Sequence, residues 1–372
     1  MATTVVSRNE IERLLNELEP QMRDAFLEAI ADITDEVVLN DLVERIAAGD
    51  IDGAIQTLQI APPVFSRVAD VFYMAYLNAG NVVAGDIRKI SVPKSRMPRP
   101  EIFQPELPGG GKLIVYFNVR NPQAEQYLRT ESSRLVTGLT DVAKESVRVG
   151  LSEGMTKGQN PRKTALDVVG RISKKTGRRE GGVVGLSQNQ VEYVNNARDE
   201  LLSGDPVLME RYLGRMRRDA RFDAKVRRAI AAGKPVSADD VMAMVGRYAD
   251  RLLQLRGETI ARTETILALH AGQEEAMRQA IETGKVDTND IVKIWRSAKD
   301  GRVRDSHIVL DGKKVGFSEY FISPATGSRM LHPGDRNHGA LPEDVINCRC
   351  HAEYKVDYIG GAARQIKRLI AA

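Results

Sequence analysis

The stretch SADDVMAMVGRYADRLLQLRGETIARTETILALHA, residues 237–271, decides how this chain folds. Ser237-Ala238-Asp239-Asp240 sets a hydroxyl and two carboxylates where the first amides of a helix need acceptors. Val241, Met244, Val245, Tyr248, Leu252 and Leu255 then recur three and four residues apart, and Ile260, Ile266, Leu267 and Ala271 continue the stripe. That period predicts one helix, with or without a bend, to about residue 283. Its length, roughly 65 Å, suits a rod-like oligomeric part better than a compact enzyme core.

The chain before this helix also reads as helical. Ser7-Arg8-Asn9-Glu10 is a capping box ahead of Ile11, Leu14, Leu15 and Leu18. Pro20 is expected to end or bend that helix, because proline lacks the amide and crowds the preceding turn. A second helix then carries Phe26, Ile30 and Ile33. Further helices are expected at 37–48 and 50–59, and after Pro62-Pro63 to about residue 79. Residues 1–84 thus form a helical N-terminal domain. In 85–111, Arg88, Lys89, Lys94, Arg96 and Arg99 alternate with Pro93, Pro98 and Pro100, and glycines follow. This is a plain linker, or an arm lying on a partner subunit or on DNA. Residues 112–285 form a helical body with one short strand at 113–117. A long helical region opens at Asn121-Pro122 and runs to about 155, with helices at about 162–175 and 188–204.

Composition narrows the class. The 372 residues are 42% hydrophobic and 28% charged, an ordinary globular mixture, and only 5% aromatic, so Leu, Ile, Val, Ala and Met must build the core. That palette favours helices packed on helices. A net charge of +4 excludes a uniform cationic coat for nucleic acid but leaves room for local patches. No apolar run reaches the length of a membrane span. The opening residues show no basic segment followed by an apolar core, so no signal peptide is expected. Use in a cytoplasm, a host's included, follows. No phosphate-binding loop, nucleophile elbow or paired-histidine zinc helix occurs.

Two basic clusters lie in the body. One is Lys174-Lys175-Thr176-Gly177-Arg178-Arg179; the other runs from Arg211 to Arg228 and includes Arg217, Arg218, Arg227 and Arg228. Asp219 and Asp223 interrupt the second, so it reads either as a self-paired solvated face or as a contact for packaged DNA or an acidic subunit. Sparse aromatics argue against a single-strand stacking platform.

After Gly284 the texture changes. Residues 291–297 read as a strand, and Asp300-Gly301, Asp311-Gly312 and Pro333-Gly334-Asp335 are turns. The fold class is therefore mainly α with a small α+β C-terminal module, 286–372: an elongated helical body whose long helix leads into a turn-rich domain. All five histidines (His270, His307, His332, His338 and His351) and both cysteines follow residue 269. Cys348 and Cys350, two apart, face the same side of an extended segment and cannot bridge without strain. With His307 they make three ligands of a tetrahedral zinc site, and His332, His338 or His351 could supply the fourth, His332 being the first choice. The alternative is two reduced buried thiols beside a hydrogen-bonded histidine. Arg262, Glu264, Arg304, Asp305 and Arg349 read as an ion-pair lattice holding the module to the long helix. The alternative there is an active site with His307 as base and Glu264 as acid. Trp295, the single tryptophan, reads as a core anchor, with a surface contact as the alternative.

Taken in order, Trp295, Asp300-Gly301-Arg302-Val303-Arg304-Asp305-Ser306-His307, Leu310-Asp311-Gly312, Leu331-His332-Pro333-Gly334-Asp335 and Ile346-Asn347-Cys348-Arg349-Cys350 form a set. With Ile260-Ala261-Arg262-Thr263-Glu264-Thr265 upstream, the set resembles the phage Mu F-type head morphogenesis family, minor head proteins of tailed phages. The resemblance is strong over 255–354, weaker from the strand near 113 through Gln190 and Arg218, and absent from the first hundred residues. It implies a non-enzymatic minor head protein, present in few copies in the virion head interior near the portal and assembled in the host cytoplasm without a membrane. Portal protein, major capsid protein and packaged double-stranded DNA are the implied partners, with a homo-oligomer around the portal. Head assembly, packaging or ejection is the implied role. Relatives with a toxin domain after this module carry far more chain than the roughly 20 residues that follow Cys350 here. The competing functions are a metal-dependent hydrolase or transferase on the His/Cys module, and a DNA-binding ejection protein.

Overall fold

The computed structural model describes residues 3–89, 117–174 and 176–357. The expected strand at 113–117 (except Phe117), the basic arm beyond residue 89 and Lys175 lie outside the described residues. In chain order the elements begin with β1 (Thr3–Val5), α1 (Arg8–Asp35), α2 (Leu39–Ala47), α3 (Ile51–Thr57) and α4 (Ser66–Lys89). Next come α5 (Pro122–Thr156), α6 (Pro161–Val169), a hairpin of β2 (Arg171–Ile172) and β3 (Arg179–Glu180), α7 (Gln188–Leu202), α8 (Pro206–Gly214) and α9 (Asp223–Ala231). α10 (Ala238–Glu282) has 45 residues. The remainder is β4 (Ile291–Arg296), α11 (Asp305–Leu310), β5 (Lys314–Gly316), β6 (Phe321–Ile322), β7 (Arg329–Met330), α12 (Pro342–Val345) and β8 (His351–Val356). The chain is mainly α with a small C-terminal α+β module.

The caps form as read. The Ser7 hydroxyl accepts from the Glu10 amide while the Glu10 carboxylate accepts from the Ser7 amide, and the Ser237 hydroxyl accepts from the Asp240 amide. Pro20 does not end α1, which runs through it. One missing amide is outweighed by an apolar stripe that continues from Leu14 and Leu18 to Met22 and Phe26, all buried. The helix expected over 162–175 stops at Val169, where Gly170 adopts φ 85° and the chain turns into β2. α4 runs ten residues past its expected end.

Contacts gather the chain into two discontinuous units: residues 1–21, 70–130 and 259–372, and residues 22–69 with 131–258. The consecutive division at 84, 111 and 285 differs, because a helix packs on whichever neighbour covers its stripe rather than on the next in the chain.

In the second unit α6 packs on α2, and α8 on both α7 and α9. The β2–β3 hairpin is fixed at its base. The Arg179 amide donates to Asp35, its guanidinium to the Gly170 carbonyl, and the Gly181 amide to Asp250 at 2.7 Å.

In the first unit four antiparallel strands form a sheet in the order β1-β8-β4-β5. Trp295 faces Ala352, Lys293 faces Tyr354, and Thr3 of β1 faces Val356. Trp295, Leu310, Phe321, Met330, Cys348 and Cys350 make one buried cluster. Elsewhere in this unit α10 meets α4 closely at Gly272, where a Cβ would stand 2.2 Å from the Tyr76 carbonyl oxygen. Gly272→Ala is expected to cost about 1–3 kcal/mol through that overlap, despite alanine's better helix propensity. Urea unfolding with an unchanged or improved midpoint would show the approach to be looser than described.

Candidate metal centre

The site grows from three short segments around Trp295. β4 carries Trp295 into the cluster, with its ring edge-on to Phe321 at 5.2 Å and to His307 at 5.1 Å. α11 is a single helical stretch that turns His307 and Leu310 inward and leaves Ile308 and Val309 exposed. The third segment follows α12. Asn347 takes a left-handed φ of 56°, a conformation asparagine tolerates better than most residues. Its amide donates to Thr263 Oγ1 on α10 at 2.9 Å, and its side-chain nitrogen to Thr259 Oγ1 at 3.4 Å. Arg304 reaches across from α11 to the Ile346 carbonyl. Clamped in this way, the chain points both sulfurs at one imidazole.

His307 Nδ1 lies 3.7 Å from Cys348 Sγ and 3.6 Å from Cys350 Sγ. The three ligand atoms fall within 4.8 Å of one another, and none of the three residues exceeds 1% exposure. Both cysteines are free thiols. On the far side of the ring, Nε2 is 3.3 Å from Asp344 Oδ1. Hydrogen bonding from Cys350, and next from His307, outweighs burial and holds Cys348 well below the usual thiol value, while the neighbouring sulfur pushes Cys350 up. Two sulfurs and one imidazole are soft and borderline donors, suited to zinc or a similarly thiophilic ion.

His332 is not brought to this group, and neither His338 nor His351 joins it among the described residues. His332 sits in the turn after β7, beside His270 (rings 5.7 Å apart), with its Nδ1 3.1 Å from the Pro333 carbonyl. His270 Nδ1 also meets that carbonyl, at 2.9 Å, and its Nε2 accepts from the Ala352 amide. Burial holds His270 well below the usual imidazole value, so it is neutral. His338 bonds to Asp335 at 2.7 Å, and His351 stands opposite Arg296 in the sheet.

The five residues expected to form one polar lattice make separate bonds instead. Arg262 pairs with Glu19 of α1 at 2.7 Å, Glu264 with Arg336 at 2.9 Å, and Arg349 with Asp300 at 2.8 Å. Arg304 caps a carbonyl, and Asp305 is exposed in the first turn of α11. Arg262 and Arg349 each found a carboxylate on another element and Arg304 a carbonyl, which letters along a chain do not reveal. Glu264 is thus engaged by Arg336, and the carboxylate beside His307 is Asp344, a residue the sequence reading passed over. Its only signal was Pro342-Glu343-Asp344, a helix start like many others.

The basic clusters separate as well. Arg215 pairs with Glu200, Arg218 with Asp223, and Arg221, Arg247 and Arg251 with the buried Asp219. Arg227 lies 4.0 Å from Asp223. Lys174, Arg178, Arg217 and Arg228 are exposed, and Arg179 is turned inward.

Residues 220–353 match the family model described as Phage Mu protein F like protein. The minor head protein GP7 of Bacillus phage SPP1 is 31% identical over 132 residues, 35% of this chain and 40% of that protein. The uncharacterized protein YqbB of Bacillus subtilis (strain 168) is 31% identical over 104 residues, 27% of this chain and 31% of its own length. The matches thus span less than half of either relative. No solved structure matches the chain. His307, Asp344, Cys348 and Cys350 all fall inside the matched stretch. The chain therefore carries a phage Mu protein F-like region at residues 220–353, and the buried histidine–thiol group is part of it.

Proposed function

We propose that this chain is a minor head protein of a tailed bacteriophage, a structural component of the head interior beside the portal that acts in head assembly, DNA packaging or ejection. The observation that carries this reading is the Mu F-like match together with the likeness to a protein named as a minor head protein. Portal protein and major capsid protein are the partners it calls for. Mass spectrometry of purified portal-containing procapsids should find the chain in few copies. Its absence from them would end the reading.

Within that role the His307–Cys348–Cys350 group serves as a zinc staple, which a module with a thin core needs more than a large domain does. Its enclosure argues against a hydrolase or transferase centre, since a substrate must touch its ligands or their water.

Packaged DNA is the second partner. Lys174, Arg178, Arg217 and Arg228, all exposed, are the contacts this reading selects. Neutralising all four should lower the slope of log affinity against log salt by up to about 4, whereas neutralising Arg218 and Arg227 should hardly change it. Equal slopes for all variants on immobilised duplex DNA would remove DNA from the partners.

A further inference from the structure

The second nitrogen of His307 is buried without a hydrogen bond of good geometry, and the group nearest to satisfying it is a carboxylate. Asp344, 1% exposed, presents Oδ1 to Nε2 at 3.3 Å. The carboxylate cannot turn away, because Ser323 donates to Oδ1 at 3.1 Å and Thr326 to Oδ2. Ser328 Oγ bonds to Thr326 Oγ1 at 2.8 Å and accepts from the Leu341 amide just ahead of α12. All three hydroxyls come from β6–β7 and its turn, which is closed by a 2.9 Å bond from the Ser323 amide to the Ser328 carbonyl.

We propose that Asp344 is the positioning carboxylate of a thiophilic metal site made by His307, Cys348 and Cys350, held in place by the hydroxyl cradle of Ser323, Thr326 and Ser328. The proposal rests on the zinc reading above and adds a residue to it. A neutral imidazole carries one proton, and only the nitrogen without it can bind a metal. A carboxylate beside Nε2 draws the proton there and leaves the Nδ1 lone pair facing the sulfurs. The same contact fixes the ring plane, which a tetrahedral site requires within tens of degrees. β6 and β7 give Phe321 and Met330 to the buried cluster, and the turn between them mounts this carboxylate.

The test uses the full chain and Co²⁺ as the probe. Wild type should bind one ion, with thiolate-to-cobalt charge-transfer absorption and visible bands of tetrahedral intensity. Asp344→Asn should keep the charge-transfer band, since both thiolates remain, but weaken Co²⁺ affinity by about 10- to 100-fold. Asp344→Glu should restore part of it. Ser323→Ala combined with Thr326→Val, which leaves every ligand and the carboxylate in place, should weaken affinity in the same direction by less, and it decides the matter if Asp344→Asn fails to fold. Melting of the metal-free variants separates the roles. A purely structural Asp344 would lower that melting temperature and leave the Co²⁺ affinity of the folded protein unchanged. Equal affinity in wild type and Asp344→Asn overturns the proposal alone. No Co²⁺ bound by wild type overturns the metal site beneath it.

Discussion

Cys348→Ser is expected to abolish stoichiometric metal binding and to lower stability by about 4 kcal/mol when wild type is compared at metal a thousandfold above its dissociation constant. The serine hydroxyl nearly fills the sulfur's space, so packing around Trp295 changes little. What is lost is a thiolate and the charge it brings to the ion. Chelator treatment of wild type should reproduce the variant's melting temperature, and chelator should leave the variant unmoved. Elemental analysis supplies the second reading, zinc near one per chain in wild type and near none in the variant. A wild type that melts identically with and without chelator, and carries no metal, would leave two reduced thiols beside a histidine.

The second large effect lies in the same unit but apart from the sulfurs. Lys293 is 0% exposed, and its ammonium has no hydrogen bond among the described residues. Its counter-charge is Glu274 of α10, with Oε2 3.8 Å away and also accepting from the Tyr354 hydroxyl at 2.6 Å. Burial pushes Lys293 down and Glu274 up, each against the attraction of the other. Glu274→Gln removes the largest attraction on Lys293, ahead of Asp335 and Glu319, and should cost about 3–5 kcal/mol at pH 7, because the lysine must then shed its proton on folding. The pH dependence identifies the cause. In the variant the folded chain keeps Lys293 neutral while the unfolded chain protonates it. The unfolded state then binds more protons, and stability rises with pH, by about 1.4 kcal/mol per unit between pH 7 and 9. Lys293→Met added to Glu274→Gln should recover most of the loss and flatten that slope. A single variant that costs less than about 1 kcal/mol in urea, with no slope, would mean the two groups do not depend on each other.

The long helix was legible because its period holds over many turns and its start carries a hydroxyl at the right offset. The convergence of Cys348, Cys350 and His307 was legible from chemistry: thiols two apart share a side, and one imidazole with them makes three ligands of a tetrahedral site. His332 looked equivalent only because spacing along a chain carries no direction in space; its ring is tied to the turn at Pro333 beside His270. Asp344 was hidden for the opposite reason. A carboxylate in a short helix is the commonest sight on a surface, and only the tertiary fold buries it against His307. Pro20 misled because the local penalty is visible in the letters, whereas the burial that offsets it, at Leu18, Met22 and Phe26, depends on partners far along the chain. β1 was missed because three residues display no period at all.

That missed strand sets an order of events. Thr3–Val5 pairs with Tyr354–Val356, about 350 residues further on. At 5–20 residues per second, a nascent chain leaving the ribosome holds its first strand unpaired for roughly 20 to 70 seconds. Until then β1 has no strand to pair with, and β8, once made, offers a bare edge until β1 reaches it. The sheet is thus closed by two segments some 350 residues apart meeting, and a charged or proline substitution at Thr4 would act at that seam.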